Sequence, residues 1–225
     1  MTLRFYFFLF SFVFFGASAA KAESVPEAYF SKTTALGFQA GARSSSSRTS
    51  PKVGADFFWP QPLFGVSGEH VLKAHPHGIF SLYLEFSYGR QGYRYSETKF
   101  DTLTAYRIYY DVAVLPLLLK VRARRFMFKN ILPLMELGLA PTAIVKAERE
   151  SQSTYKKQTE NLRSSTSWFD LAAVGGLGLE YAFLPENFSW LTVRYSLGLI
   201  NVEKTLNTIT KNNGLEVVGG FGFWL

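Results

Sequence analysis

Apolar side chains recur at every second position along much of this chain. The clearest stretch spans residues 168–183, where Phe169, Leu171 and the residues that continue their face alternate with a face that contains Asp170 and Glu180. A period of two is that of a β-strand, because successive side chains point to opposite faces of the sheet. The stretch also exceeds the roughly 9–11 residues that a strand needs to cross a membrane. The pattern therefore predicts an all-β fold with membrane-crossing strands.

The composition fits strands that face lipid on one side. Aromatic residues make up 17% of the chain, yet the mean hydropathy is only +0.05. A lipid-facing barrel produces this combination, because each outward apolar residue alternates with an inward polar one. The chain contains no cysteine, which excludes disulfides, thiolate metal sites and cysteine nucleophiles.

The first 22 residues have the order of a secretory signal peptide. Arg4 precedes an apolar run at residues 5–15, and a segment rich in small residues follows at 16–22. We predict cleavage after Ala22, with Ala19 as a second choice and an uncleaved anchor as the alternative. The predicted organisation is therefore a signal peptide at 1–22, a periplasmic segment at 23–34 and an outer-membrane barrel at 35–225.

The alternation predicts eight strands, at residues 36–43, 52–59, 80–89, 104–123, 131–146, 168–183, 191–199 and 215–225. An even number of antiparallel strands places both chain termini on the periplasmic side. Four polar stretches then become external loops, at residues 44–51, 90–103, 147–167 and 203–213. Residues 124–130 and 184–187 are predicted as short periplasmic turns, and 60–76 as a long periplasmic connection. We predict a closed antiparallel eight-stranded transmembrane β-barrel; a soluble lipocalin-like barrel, with its apolar face inward, is the alternative.

The last strand ends at the last residue of the chain. Phe221, Phe223 and Leu225 share one face, and Trp224 lies on the other. This ending resembles the C-terminal signal of bacterial outer-membrane barrels, although those usually finish on Phe. The resemblance implies insertion into the outer membrane by the barrel-assembly machinery.

Two stretches resemble the Bacteroidetes-type outer-membrane β-barrel domain family, which includes the PorT proteins. Residues 110–120 read Tyr-Asp-Val-Ala-Val-Leu-Pro-Leu-Leu-Leu-Lys and are followed by a strand that carries Gly138. Residues 84–93 contain an acid followed by a closing glycine. The resemblance implies the barrel fold and the outer-membrane location, and the family has no single assigned activity.

The polar faces of the predicted strands carry a set of charges. These are Arg43, Glu85, Asp111, Lys120, Glu136, Glu180, Arg194 and Glu216. The interior of an eight-stranded barrel is only wide enough for side chains, so buried charges must pair there. We interpret the set as a network of ion pairs that plugs the lumen; a narrow ion path and a catalytic carboxylate pair are the alternatives.

The histidines and the basic clusters carry weaker signals. His70, His75 and His77 have a spacing that a metal site can use, but Glu69 is the only acidic residue close to them, and we predict no metal and no cofactor. Their predicted periplasmic position also argues against an outer-membrane lipid-modifying enzyme, which uses His with Ser at the external end. The cluster Arg122, Arg124, Arg125 and Lys129 is predicted to contact lipid phosphates or to snorkel.

We therefore predict a non-enzymatic barrel with a structural or interaction role in the cell envelope. A narrow channel or a transport or secretion accessory is the first alternative, and a lipid A-modifying enzyme is the second. The predicted partners are outer-membrane lipids, both lipopolysaccharide and phospholipid, together with the assembly machinery. The net charge of +7 accompanies no nucleic-acid motif, so no nucleic-acid partner is expected, and a monomer is.

Overall fold

The computed structural model describes residues 27–50, 56–99, 102–152, 157–204 and 209–225. The predicted signal peptide at 1–22 lies outside these residues. One short helix, α1 (Glu27–Ser31), precedes the strands. The strands are β1 (Thr34–Ser50), β2 (Asp56–Phe57), β3 (Gln61–His75), β4 (Gly78–Lys99), β5 (Thr102–Val114), β6 (Leu117–Arg122), β7 (Ile131–Gln152), β8 (Lys157–Asn161), β9 (Phe169–Ala182), β10 (Asn187–Gly198) and β11 (Ile209–Trp224).

Antiparallel pairing closes these strands into a barrel. The first strand pairs with the last, from Ala35 opposite Trp224 to Ser50 opposite Ile209. The ring then runs through β3, β4, the β5 and β6 segments, β7, β9 and β10 back to β11. Every position in this ring has a partner on both sides, so the ring has no open edge. The predicted all-β closed barrel is confirmed.

The eleven described strands differ in number from the eight that were predicted, but the pairing accounts for the difference. β5 and β6 occupy one position between β4 and β7 and are separated only by Leu115 and Pro116. Pro116 has no N–H to donate to the ladder. β2 pairs with the same edge of β4 as β3 does, and β8 pairs with the same edge of β7 as β9 does, because β5 occupies the other edge of each strand. The two short strands therefore continue the ring positions of β3 and β9.

The second strand of the ring was predicted at the wrong place. The structure assigns Gln61–His75 to β3, so residues 60–76 are not a connection, and residues 52–59 contribute only the two described residues of β2. Pro62, Gly65 and Gly68 interrupt the apolar pattern of this segment, which concealed the alternation. Pro62 stands next to the start of the strand, where a missing N–H is tolerated.

Most of the predicted external loops are also strand. β4 and β7 each contain 22 residues, about twice the length needed to cross a membrane. β1 likewise continues to Ser50 and β11 begins at Ile209. These extensions lie at one end of the barrel, called here the extended end. The opposite end, the short-turn end, carries α1, residues 76–77, 123–130 and 183–186, and Leu225.

The outer surface of the barrel is apolar. Along β4, Phe80, Leu82, Leu84, Phe86 and Tyr88 are exposed, whereas the residues between them are buried. Apolar residues on the outside and polar residues on the inside are the arrangement of a membrane barrel rather than of a soluble one. Among the described residues, no helix is both long and apolar enough to span a bilayer.

Candidate functional site

Inward-facing ionic groups occupy the lumen at three levels. The alternation of the strands places them, because each belongs to the buried face of its strand. We name these levels the lower cluster, at the short-turn end, the middle cluster, and the upper cluster, toward the extended end.

The lower cluster contains two cations and two carboxylates. Arg122 Nε donates to Glu180 Oε1 at 2.6 Å, and Arg122 Nη2 donates to Glu69 Oε2 at 2.7 Å. Lys120 Nζ lies 3.0 Å from Glu180 and 3.3 Å from Glu69. All four side chains are almost fully buried, so the two cations share the same two acids in a closed network.

A tyrosine from helix α1 covers the lower cluster. Tyr29 is buried and its hydroxyl donates to Glu180 Oε1 at 2.5 Å. Its ring lies edge-on to Trp224, with the ring centres 5.5 Å apart. Part of the segment that precedes the barrel therefore closes the short-turn end of the lumen.

The middle cluster places one cation between two carboxylates. Arg194 Nη1 donates to Glu85 Oε2 and its Nε donates to Glu136 Oε2, each at 2.6 Å. The three residues come from β10, β4 and β7, so the arginine ties distant walls of the barrel together. Gly176 makes room for it, because a Cβ there would lie 2.9 Å from Arg194 Cγ.

The upper cluster combines one ion pair with neutral polar groups. Arg43 Nη2 lies 2.8 Å from Glu216 Oε1, between β1 and β11. Asn212 Nδ2 donates to Asp170 at 2.9 Å. A cavity of about 20 Å³ lies among these side chains, which is space for about one water molecule.

Beyond the upper cluster, the extended end is closed by an aromatic and aliphatic cluster. Tyr93, Ile108, Tyr110, Ile144 and Val202 are among its buried residues. The lumen is therefore filled by charged groups over its lower part and by apolar groups near its extended end.

Seven of the eight charges predicted for the lumen are in it, at the three levels described above. Asp111 is not. It lies on the outer face of β5, where it accepts hydrogen bonds from Arg90 at 2.6 and 3.1 Å. Its neighbours Tyr110 and Val112 are the buried residues of this strand, so the prediction chose the wrong face. Asp111 stands nine residues before Lys120, and this odd spacing puts the two side chains on opposite faces of the alternation.

Sequence reasoning missed three members of the lower cluster. Glu69 belongs to the strand that was predicted as a connection. Arg122 was assigned to the lipid-facing basic cluster but is fully buried. Its position two residues after Lys120 on the same alternating face was the available signal. Tyr29 precedes the barrel, and the sequence carried no signal that it enters the lumen.

The two faces of the C-terminal strand point outward and inward as the alternation predicts. Phe221 and Leu225 are exposed on the outer face, and Trp224 is buried inside. Phe223 is half-buried on the outer face, opposite Leu36 of β1. The predicted role of this strand in membrane insertion remains a prediction.

The three histidines lie at the short-turn end. The ring centres of His75 and His77 are 5.3 Å apart, and His70 Nδ1 lies 3.2 Å from Thr34 Oγ1. In the described part of the chain, no three side chains of the His, Asp or Glu type are grouped so as to hold a metal ion.

The fold is similar to solved outer-membrane proteins of low sequence identity. Ail, the attachment invasion locus protein of Yersinia pestis, solved in complex with the heparin analogue sucrose octasulfate, is 12% identical with a TM-score of 0.43; the match covers 86% of this chain and 99% of that one. The N-terminal β-barrel domain of Pseudomonas aeruginosa OprF is 15% identical with a TM-score of 0.40, covering 85% and 98%. The outer membrane protease OmpT of Escherichia coli is 7% identical with a TM-score of 0.41, covering 86% and 97%. A search of the curated proteins gave no match.

A protein-family model matches most of the chain. Residues 19–204, well over half of the chain, match the model of the outer membrane protein beta-barrel domain. This match agrees with the closed barrel, its apolar outer wall and its polar lumen. The chain therefore belongs to the outer membrane protein β-barrel domain family, and it is a small β-barrel protein of the bacterial outer membrane.

Proposed function

We propose that this protein is a non-conducting, non-enzymatic barrel with a structural or interaction role in the cell envelope. The observation that carries the proposal is the filled lumen. Three levels of paired charges span it, and the cavity among them measures only about 20 Å³.

The closed lumen argues against the channel alternative on energetic grounds. A conducting pore must offer a permeating ion a hydrated path, whereas the cations here are already engaged by buried carboxylates. Breaking one such pair costs about 3–5 kcal/mol. An ion would have to disrupt the lower, middle and upper clusters in turn, so we expect no conductance.

Planar-bilayer recording tests this part of the proposal. We expect the wild-type barrel to give no discrete conductance steps. A matched pair of variants locates any current: Arg194→Ala removes the shared cation of the middle cluster, whereas Arg90→Ala removes a cation of the outer wall. Discrete wild-type steps that change with Arg194→Ala but not with Arg90→Ala would contradict the proposal and favour a gated channel.

The proposal of a non-enzymatic role rests on the ion pairs of the lumen carboxylates and on the position of the histidines. The lumen carboxylates Glu69, Glu85, Glu136 and Glu180 are each held by a cation, which leaves them poorly suited to acid or base catalysis. The three histidines lie at the short-turn end, whereas an outer-membrane lipid-modifying enzyme would use its histidine at the opposite, external end. Mass spectrometry of lipid A from expressing and deleted cells is the test, with identical acylation expected; a changed acyl pattern would reverse the proposal.

We propose two finer assignments alongside this role. The PorT-like subgroup of outer-membrane barrels is the relative that residues 110–120 and 84–93 favour. The protein acts as a monomer, because the ring closes within one chain. The barrel-assembly machinery inserts it through its C-terminal strand. Light scattering in detergent tests the monomer, and loss of outer-membrane insertion after deletion of residues 221–225 tests the role of the strand.

A further inference from the structure

The barrel closes where β1 pairs with β11, and this pairing is called here the seam. It joins the two ends of the barrel chain, since Ala35 stands opposite Trp224 and Ser50 stands opposite Ile209. Pairing residues so far apart in the chain costs more loop-closure entropy than joining neighbouring strands through a short turn. Closure of the seam is therefore a late step of folding.

The inner face of the seam has few side chains of its own near the short-turn end. Gly37 stands opposite Gly222, and Gln39 stands opposite Gly220. Cross-strand side-chain pairs stabilise a sheet, and a glycine contributes none. A ring from β10 covers part of this face instead, since a Cβ on Gly222 would lie 2.5 Å from Phe188 Cζ. This half of the seam therefore depends on its backbone hydrogen bonds and on aromatic rings that pack over it.

Helix α1 reaches across the seam from the first strand to the last three. Only residues 32–33 separate it from β1. The Tyr29 hydroxyl donates to Glu180 Oε1 of β9 at 2.5 Å. The Tyr29 ring lies edge-on to Phe188 of β10 and to Trp224 of β11, with ring centres 6.3 and 5.5 Å apart. Because the chain holds Tyr29 next to β1, these contacts tie the first strand to the strands beyond the seam.

A second side chain of α1 contacts another part of the short-turn end. The guanidinium carbon of Arg124 lies 4.1 Å from the centre of the Phe30 ring, within the range of a cation–π contact. Arg124 belongs to the turn between β6 and β7. The contacts of α1 therefore come from four separate positions of the ring, which are the β6–β7 turn, β9, β10 and β11.

Helix α1 is too short to be stable before the barrel assembles. It contains five residues, and helices shorter than about 12–15 residues are only marginally stable on their own. Tyr29 also has to meet Glu180, which is 151 residues away in the chain. The site for the Tyr29 ring exists only once β10 and β11 lie side by side. Docking of α1 therefore follows the assembly of the strands that build its site.

We propose that α1 is a latch that docks after the seam closes and slows the reopening of the seam. Tyr29 carries this role, because it is buried and its ring and hydroxyl both contact strands beyond the seam. Before the barrel can open between β1 and β11, Tyr29 has to leave its site. The latch concerns folding and unfolding, and it is independent of whether the lumen conducts.

Folding and unfolding rates in urea, measured by tryptophan fluorescence in lipid vesicles, test the latch. A contact that forms after the transition state of folding changes the unfolding rate and leaves the folding rate unchanged. We expect Tyr29→Ala to unfold about 100-fold faster than the wild type, the effect of losing a buried aromatic ring. Tyr29→Phe loses only a hydrogen bond to a charged group and should unfold about 10-fold faster. Both variants should fold at the wild-type rate.

The matched control is Phe126→Ala, which removes an aromatic ring from an exposed position at the same end of the barrel. It is expected to fold and unfold like the wild type. A wild-type unfolding rate in Tyr29→Ala overturns the proposal, and so does an equal increase in Phe126→Ala. Slower folding of either Tyr29 variant would show that α1 docks before the seam closes, which overturns the proposal as well. Tyr29→Phe keeps the ring, so its rates decide the order of docking if Tyr29→Ala does not fold.

Discussion

The lower and middle clusters neutralise their buried carboxylates with different numbers of cations. Both bury charges inside the barrel, but the lower cluster pairs Lys120 and Arg122 with two acids, whereas the middle cluster gives Arg194 alone to two acids. Each acid of the lower cluster contacts two cations and keeps one of them when the other is removed. Each acid of the middle cluster depends on one guanidinium group. The comparison teaches that the stability of the lumen depends on how many partners each buried charge has, as well as on the number of pairs.

The largest expected effect comes from removing the shared cation. Arg194→Met leaves Glu85 and Glu136 buried together without a cation, and we expect a loss of about 3–5 kcal/mol in the free energy of unfolding. Urea-induced unfolding of the barrel in lipid vesicles measures it. A loss below about 1 kcal/mol would mean that water or another group already stabilises these acids.

The equivalent change in the lower cluster should cost less. Arg122→Met removes hydrogen bonds to Glu69 and Glu180, but Lys120 remains within 3.3 Å of both. We expect a loss of about 1.5–3 kcal/mol, that of charged hydrogen bonds whose acids keep a counter-charge. The same unfolding assay compares Arg122→Met with Arg194→Met. An equal or larger loss for Arg122→Met would show that Lys120 does not neutralise Glu69 and Glu180 once Arg122 is removed.

The glycine beside Arg194 provides a third comparison. Gly176→Ala puts a methyl group 2.9 Å from Arg194 Cγ, whereas Gly175→Ala meets its nearest neighbour, Leu137 Cδ1, only at 4.0 Å. We expect Gly176→Ala to cost about 1–3 kcal/mol, the usual cost of overpacking. Gly175→Ala is the matched control, and equal stability of the two variants would contradict the tight packing of the middle cluster.

The smallest expected effect is the loss of one acid from the middle cluster. Glu136→Gln breaks one ion pair, but it leaves Arg194 paired with Glu85 and keeps a hydrogen-bonding group of the same size, so we expect a loss of about 0.5–1.5 kcal/mol, that of one hydrogen bond. Glu180→Gln, which takes a shared acid from two cations of the lower cluster, should cost more in the same assay. The reverse order would show that both acids of the middle cluster are needed.

The sequence predicted the barrel well because alternation is a local property. Residues 80–89, 168–183 and 191–199 were placed on strands, with the correct outward face, from their pattern alone. The segment at 61–75 was missed because Pro62 and its two glycines break the apolar pattern without breaking the strand. The extensions of β4 and β7 read as loops, since strands that leave the membrane lose their apolar face while their backbone pairing continues.

The lumen was predictable only in part. The alternation identified which faces carry charge, and it gave the correct face for Arg194 and Glu180. It could not give the levels, because which inward charges meet depends on the stagger between strands that are distant in the sequence. Glu85 and Arg194 are 109 residues apart yet lie in one ion pair. Tyr29 could not be found at all, since no local pattern reports that a helix before the barrel turns into its end.

The central claim is that the lumen is closed, and thiol accessibility tests it most directly. The chain has no cysteine, so a single introduced thiol reports one position. Ser87→Cys probes the buried inner face of β4, and Ser96→Cys probes an exposed position on the same strand at the extended end. Labelling with a small water-soluble thiol reagent should modify Ser96→Cys readily and leave Ser87→Cys unmodified in the folded barrel. Equal labelling of the two positions would show an open, water-filled lumen and would contradict the account.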